Sequence, residues 1–309
     1  MIEGQEDVSW DQWAALARSA EGAGLEALFR SDHYQSVMGR SERGSLDAWT
    51  TLAGLAVVTD RIKLGTLVSP ATFRHPSVLA KAAATVDHVS SGRVELGLGA
   101  GWLEQEHRSY GFTFPDTRTR MEMLEEQIEI VTRAWADGAF SFAGKHYSIE
   151  DLDARPKPVQ QPRPNVLVGG SGGPGSVRIA ARWADEYNTL FASAEECAKR
   201  RRDLDAAWQK AGRNGRPVLS MMTTCVLGRT EAEVRDRAGA LLRQTGRDMP
   251  VDEWLDGARE ARLVGTVDEV ATKIRSLGDA GIERLMLQHL VHEDVEMVLL
   301  MGDLVSEVA

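Results

Sequence analysis

Apolar positions along the chain follow two alternating rhythms. Short continuous runs, rich in leucine and β-branched residues, are separated by longer stretches in which apolar residues recur about every three or four positions; these are the patterns of a buried strand and of an amphipathic helix. The runs predict strands at "LEALFR" from Leu25, "RIKLGTLV" from Arg61, "RVELGL" from Arg93, "NVLVG" from Asn165, "EYNTLF" from Glu186, "PVLSMMTTCVL" from Pro217 and "IERLML" from Ile282. With a stub at Met1 to Glu3 these make eight. Helix starts are marked as clearly. Ser9, Ser193, Thr230 and Thr266 each stand three residues before Gln12, Glu196, Glu233 and Glu269, the capping-box spacing. The helix from Pro76 is expected to turn Val78, Leu79, Ala82, Ala83, Val86 and Val89 to one face, packed on a barrel.

The joints repeat as well. "AGLEAL" at Ala23 and "AGIERL" at Ala280 put a helix-ending glycine directly before a strand at opposite ends of the chain, as one βα unit used many times would. Alternation throughout, with no Pro/Gly/Ser linker, predicts a single α/β domain over residues 1–309, a (β/α)8 TIM barrel with loop insertions. The longer stretches Gly101 to Thr117, Asp137 to Pro164 and Thr245 to Arg262 are expected to be active-site insertions, because barrel chemistry gathers on the loops after the strands.

Two glycine strings carry candidate chemistry. In "NVLVGGSGGPGSVRIAARWADEYN", Gly170, Gly172 and Gly175 spell the G-x-G-x-x-G of a dinucleotide fold between a strand and a helix. That fingerprint normally follows the first strand and is answered by an acid ending the next one. Here four strands precede it, and Asp185 and Glu186 begin the next strand instead. What remains is a phosphate cradle: backbone N–H groups from Gly169 to Gly173 facing a helix start near Gly175 and Ser176, against a plain flexible loop as the alternative. A valine at Gly170 is expected to block that cradle and leave the fold intact. The second string, "GLGAGW" at Gly97 to Trp102, ends a strand, so Gly99 and Gly101 are expected to let a flat ligand approach the backbone.

Composition narrows the function classes. The 309 residues, 43% hydrophobic and 27% charged, suit a globular chain with a large core. A net charge of −10, from 36 basic and 46 acidic residues, argues against nucleic acid. The run "KRRR" at Lys199 to Arg202, set among Glu195, Glu196, Asp203 and Asp205, reads as a solvated helix face. No apolar stretch suits a bilayer and the start lacks a signal-peptide pattern, while Cys197 and Cys225 are too few for a disulfide framework. A cytoplasmic protein is expected, without membrane contact. His75, His88, His107, His146, His289 and His292 show no ligand spacing, so no metal is expected.

Four stretches together resemble one family along nearly the whole chain: "SWDQWAALARSAEGAGLEALFRSDHY", "RIKLGTLVSPATFRHPSVLAKAAATVDHVSSGRVELGLGAGW", "GGSGGPGSVRIAARWADEYN" and "VGTVDEVATKIRSLGDAGIERLML". This is the luciferase-like superfamily of flavin- and deazaflavin-dependent oxidoreductases. "MIEGQE" and "FRSDHY" are most similar to its coenzyme F420 branch. The resemblance implies a (β/α)8 barrel with an isoalloxazine-type ring across the strand C-termini. It places Asp32 and His33 beside the reactive ring and substrate, where histidine suits a proton donor or acceptor and a neighbouring carboxylate can tune it. The plainer alternative has Asp32 capping the loop and His33 packing there. Thr66, Leu67 and Val68 match the bulge on which the ring rests, with a cis peptide expected between Leu67 and Val68. Trp102, Gln105 and Glu106 match the loop covering the ring, Trp102 as a wall. Gly169, Gly170, Ser171 and Gly172 match the loop holding the cofactor phosphate.

Two departures stand out. Trp102 replaces the glutamate found in family members that oxidise sugar phosphates, which speaks against that substrate class. Relatives also carry apolar residues before the equivalent of "IEGQ", so the first strand is expected to be cut short, with the true start upstream or removed, and the sheet poorly closed. The resemblance implies hydride transfer between C5 of F420 and a small organic substrate, in a homodimer; the alternatives are an FMN-dependent luciferase-like monooxygenase and a non-catalytic flavin or F420 carrier.

Overall fold

A parallel sheet closes on itself and is ringed by helices in the computed structural model, which describes residues 1–308. In chain order the elements are α1 (Trp10–Gly22), β1 (Ala27–Arg30), α2 (Ala48–Val58), β2 (Lys63–Thr66), β3 (Ser69–Pro70), α3 (Pro76–Val89), β4 (Val94–Gly99), α4 (Glu104–Tyr110), α5 (Thr117–Trp135), β5 (Phe140–Ala143), β6 (Ser148–Leu152), β7 (Asn165–Gly169), α6 (Pro174–Trp183), β8 (Glu186–Leu190), α7 (Ala194–Lys210), β9 (Val218–Gly228), α8 (Glu231–Thr245), α9 (Val251–Ala261), β10 (Leu263–Thr266), α10 (Val267–Asp279), β11 (Arg284–Gln288) and α11 (Val295–Val308). Neighbours in the sheet run β1-β2-β4-β7-β8-β9-β11, all parallel, with β3 continuing β2 alongside β4 and β10 lying beside the upper end of β9.

The eighth position of the barrel is held by Met1 to Glu3. Ile2 N–H donates to Phe29 O (2.9 Å) and its carbonyl accepts from Ser31 N–H (3.1 Å), while the Met1 amine and carbonyl bond Leu287 O and His289 N–H. The sheet is therefore closed at its C-terminal rim. Lower down, the facing edges of β1 and β11 border an apolar cavity of about 470 Å³ lined by Leu28, Leu285, Leu287 and Met301. The expected poor closure is thus confined to the end of the barrel away from the loops that follow the strands.

Alternation along each strand builds two cores. Outward residues such as Leu96, Leu98, Val166, Val168 and Leu219 pack beneath the helices. Phe29, Leu67, Leu167, Met222 and Met286 fill the barrel interior. Below them Arg284 of β11 joins Glu95 of β4 (2.7 Å) and Glu186 of β8 (2.9 Å), a buried charged plug.

Several expectations change. On α3, Val78 and Val89 are 59% and 44% exposed, and the buried face uses Ala80, Ala84 and Asp87 beside Leu79, Ala83 and Val86. Asp87 can be buried because its carboxylate accepts from the amides of Val159 and Gln160. The strands β3, β5, β6 and β10 are additional to the sequence reading; each is five residues or shorter. The stretch Asp137 to Pro164 follows a helix, not a strand. Its β5–β6 hairpin packs against α5, where Glu126 accepts from the amides of Lys145, His146 and Tyr147. Thr245 to Arg262 also follows a helix and is mostly α9; its two flanks lie at the upper rim, where β10 pairs with the last residues of β9 and Gln244 O accepts from Arg43 in the loop after β1. Among the described residues no helix is long and apolar enough to cross a membrane.

Candidate active site

The loops after β1, β2, β4 and β7 meet at the upper rim. The chain of β2 breaks after Thr66, whose hydroxyl bonds Gly97 O (2.9 Å), and the Leu67–Val68 peptide is cis, as the resemblance implied. Val68 then points across the mouth. A Cβ on Gly99 would lie 2.5 Å from Val68 Cγ2, and one on Gly169 would lie 3.0 Å from Val68 Cγ1. Glycine at those positions makes room for the bulge, so the flat floor is built by Val68 with the glycines under it. Gly101 has φ +80°, a conformation glycine tolerates and other residues rarely adopt.

Asp32 is 1% exposed and ties the β1 loop to this bulge. Its Oδ2 accepts from Ser69 Oγ (2.6 Å) and Arg74 Nη1 (2.5 Å), and Arg74 also reaches Asp47 (2.8 Å). Asp32 Oδ1 is buried and has no protein partner, an acceptor open to a ligand donor.

The carboxylate bonded to His33 is Glu106, and Asp32 adds a weaker charge effect in the same direction. His33 Nδ1 lies 2.7 Å from Glu106 Oε2, and the other oxygen of Glu106 accepts from the amides of Tyr34 and Gln35. Glu106 is fully buried in the first turn of α4. Burial pulls the His33 pKa down, but the hydrogen bond and charge of Glu106 outweigh it and hold the imidazole above its ordinary value. No bond among the described residues engages His33 Nε2, so a proton there is available to the mouth. Trp102, 61% exposed, sets its ring edge-on to His33 with centroids 5.7 Å apart, and Gln105 is exposed beside it.

Opposite the bulge lies a polar cluster absent from the sequence reading. Glu3 accepts from Gln5 Nε2 (2.8 Å) and Gln288 Nε2 (2.7 Å), Gln288 Oε1 accepts from Thr224 (2.9 Å), and Ser31 donates to Gln5. These residues come from the N-terminal segment, the loop after β1, and strands β9 and β11, so no local pattern announces them.

The glycine loop is narrower as a cradle than the sequence suggested. Gly170 N–H is bonded to Asn188 O (2.9 Å) and Gly172 N–H to Tyr187 Oη (2.9 Å). The donors left for an anion are Ser171 and Gly173, with the first-turn amides of α6 at Gly175 and Ser176. A Cβ on Gly170 would lie 2.6 Å from Ser176 Oγ and 2.7 Å from Tyr187 Oη, so a valine there distorts the loop itself and does not leave it intact. Gly173, the N-cap of α6 at φ −68°, has nothing within 4 Å of where a Cβ would stand. Among the described residues no three or more His, Cys, Asp or Glu side chains gather closely enough to hold a metal.

Comparison with known proteins agrees with this architecture. An F420-dependent glucose-6-phosphate dehydrogenase from Kineococcus radiotolerans is 34% identical over 175 residues, 56% of this chain and 50% of that protein. The pyrimidine monooxygenase RutA of Stutzerimonas stutzeri is 31% identical over 238 residues, 72% of this chain and 61% of its own length. The chain thus spans between half and about three fifths of the length of these curated relatives. The crystal structure of monooxygenase RslO1 from Streptomyces bottropensis superimposes with a TM-score of 0.82 at 26% identity, covering 97% of this chain and 94% of that one. The family model described as luciferase-like monooxygenase matches residues 2–287, and on that match the chain belongs to the luciferase-like monooxygenase family.

Proposed function

We propose that this protein is an F420-dependent oxidoreductase that moves a hydride between the deazaflavin and a small organic substrate. The observation that carries the reading is the buried His33–Glu106 pair at the rim of the barrel mouth. The residues present fit a phosphorylated tricyclic cofactor: the Val68 bulge, seated on Gly99 and Gly169, for a flat ring, an unpartnered buried acceptor at Asp32 Oδ1, and an anion cradle at the head of α6. When bound, F420 supplies a ring carbon that takes or gives a hydride.

The chain's own groups supply the proton that must accompany that hydride. With its pKa raised, His33 keeps its proton to higher pH than a free imidazole, and it donates that proton from Nε2 to the substrate atom that gains the charge, which favours reduction of a carbonyl or polarised alkene. In the reverse direction the neutral ring takes a hydroxyl proton. Glu106 is a positioning residue that fixes Nδ1 as a donor and stabilises the cation. Trp102 walls the mouth and limits water beside His33.

An FMN-dependent monooxygenase is the second reading, favoured by the similarity to the pyrimidine monooxygenase over 72% of the chain. The bulge and the cradle suit either cofactor. Fluorescence titration with both is expected to show tighter binding of F420, and turnover without oxygen; micromolar binding of FMN with none of F420 overturns the proposal.

The cradle has its own test. Gly173→Asp replaces one good N-cap with another, so stability should hold within about 0.5 kcal/mol. The added carboxylate occupies the space for a phosphate, and cofactor affinity should drop about tenfold or more by like-charge repulsion. Unchanged affinity with an unchanged melting temperature would place the anion elsewhere.

A further inference from the structure

The run "KRRR" is not one solvated face. Arg201 is buried against Asp205 and Pro217 O, whereas Arg200 lies over the glycine loop, its Nε 3.1 Å from where a Cβ on Gly172 would stand. Lys199 lines a groove of about 840 Å³ that begins at Gly172 and Pro174 and runs between α6 and α7 to Lys210 and Ala211. Arg178 and Arg182 line it from α6, one helical turn apart. Its floor of small residues, among them Ala206 and Ala207, leaves room for a chain.

The charges in this groove do not cancel. Arg178 and Arg182 share a single carboxylate, Glu125, at 2.8 and 3.2 Å. Lys199 is paired with Asp203 at 2.6 Å, and Lys210 has no ion pair among the described residues. In a chain of net charge −10, a cationic groove leading away from an anion cradle is a local reversal of sign, and such a groove concentrates a polyanion.

We propose that this α6–α7 groove binds the anionic tail of the cofactor, the run of glutamates that F420 carries beyond its phosphate and that FMN lacks. The inference rests on the F420 reading and adds to it the part of the chain that tells the two cofactors apart. The phosphate sits at the head of α6, and the tail carboxylates descend past Arg200, Lys199 and Arg178 toward Arg182 and Lys210. Recognition is by exposed charges, so it is sensitive to salt.

The test measures affinities of F420 with a long glutamate tail, of the same deazaflavin phosphate without glutamates, and of FMN, for the wild-type chain and for the Lys199→Glu/Lys210→Glu variant. Both substituted side chains are exposed, so the fold is kept, which melting curves check. The long-tailed form is expected to bind the wild type about tenfold more tightly than the tail-less form at low salt. That advantage should vanish in the variant, whose tail-less and FMN affinities match those of the wild type at the same salt, and in about 0.5 M salt the tailed and tail-less forms should bind the wild type alike. Equal affinity of tailed and tail-less forms for the wild type overturns the groove and leaves the F420 reading standing. A tail preference that survives in the variant also overturns it. Binding of FMN with neither deazaflavin brings down both.

Discussion

His33→Ala is expected to lower turnover by about a hundredfold while cofactor affinity stays within about twofold, because it removes a proton donor and leaves the ring platform and anion cradle in place. The companion change, Glu106→Gln, separates donation from packing. In the wild type, Glu106 raises the His33 pKa, so the reductive rate should be sustained to a pH above the ordinary histidine value and fall as pH rises through the shifted one. Glutamine keeps the volume and can still accept from the Tyr34 and Gln35 amides, but it removes the charge and turns an NH2 toward Nδ1. The falling limb of the pH–rate profile should then move to the acid side, with turnover at neutral pH down about tenfold. The same linkage appears in stability. A histidine with a raised folded pKa stabilises below its unfolded value near 6.5, and that contribution is lost as pH rises through the folded pKa; the variant should lose it throughout. If His33→Ala abolishes cofactor binding with little loss of turnover per bound cofactor, His33 is scaffolding.

Arg284→Met is expected to destabilise the fold by about 3 to 5 kcal/mol at neutral pH, because it leaves the buried Glu186 without its cation and Glu95 with only the half-exposed Lys63 at 3.2 Å. Arg284 holds Glu95 and Glu186, which are 2% exposed each, at 2.7 and 2.9 Å in the lower barrel. Burial pushes Glu95 toward the neutral acid, but the hydrogen bond and charge of Arg284 hold it below its ordinary range. For Glu186 burial wins despite the same arginine, and its carboxyl sits above that range. Without the arginine both carboxyls would be raised. Raised carboxyls bind protons more tightly in the folded state, so the variant's stability should fall as pH rises, and its deficit should shrink toward about pH 4 to 5. Adding Glu95→Gln and Glu186→Gln should recover much of the loss. Urea unfolding of the three proteins across pH checks both signs, and an Arg284→Met protein as stable as wild type at pH 7 would show that solvent reaches the plug.

Legibility in the sequence follows the range of the interaction. Capping boxes were readable because both partners lie within one turn: Ser9 with Gln12, Ser193 with Glu196 and Thr266 with Glu269 all form as expected. At Thr230 only half of the box forms, since the Glu233 carboxylate takes the amide of Arg229, one residue before the cap. The helix-ending glycines Gly24 and Gly281 adopt positive φ of 75° and 95°, a demand made by the local chain alone. The repeated alternation of strand and helix patterns gives the barrel class, whereas its closure rests on the distant pairing of Met1 with Leu287 and His289.

What the sequence determined by itself was therefore the barrel, its joints and the candidate positions Asp32, His33, the Leu67–Val68 bulge and the glycine loop, each fixed by neighbours in the chain or by their resemblance to a family. What only the tertiary structure decided was which of these groups meet. Glu106 reaches His33 across 73 residues, and Arg284 reaches Glu95 across 189. Gln288 closes on Glu3 across 285. The exposure of Val78 and Val89 and the burial of Asp87 were likewise set by what packs on α3 from elsewhere. The physical reason is that side-chain ionisation and burial depend on the charges, donors and apolar surface a few ångströms away in space, and in a closed barrel those neighbours come from strands and loops distant in sequence.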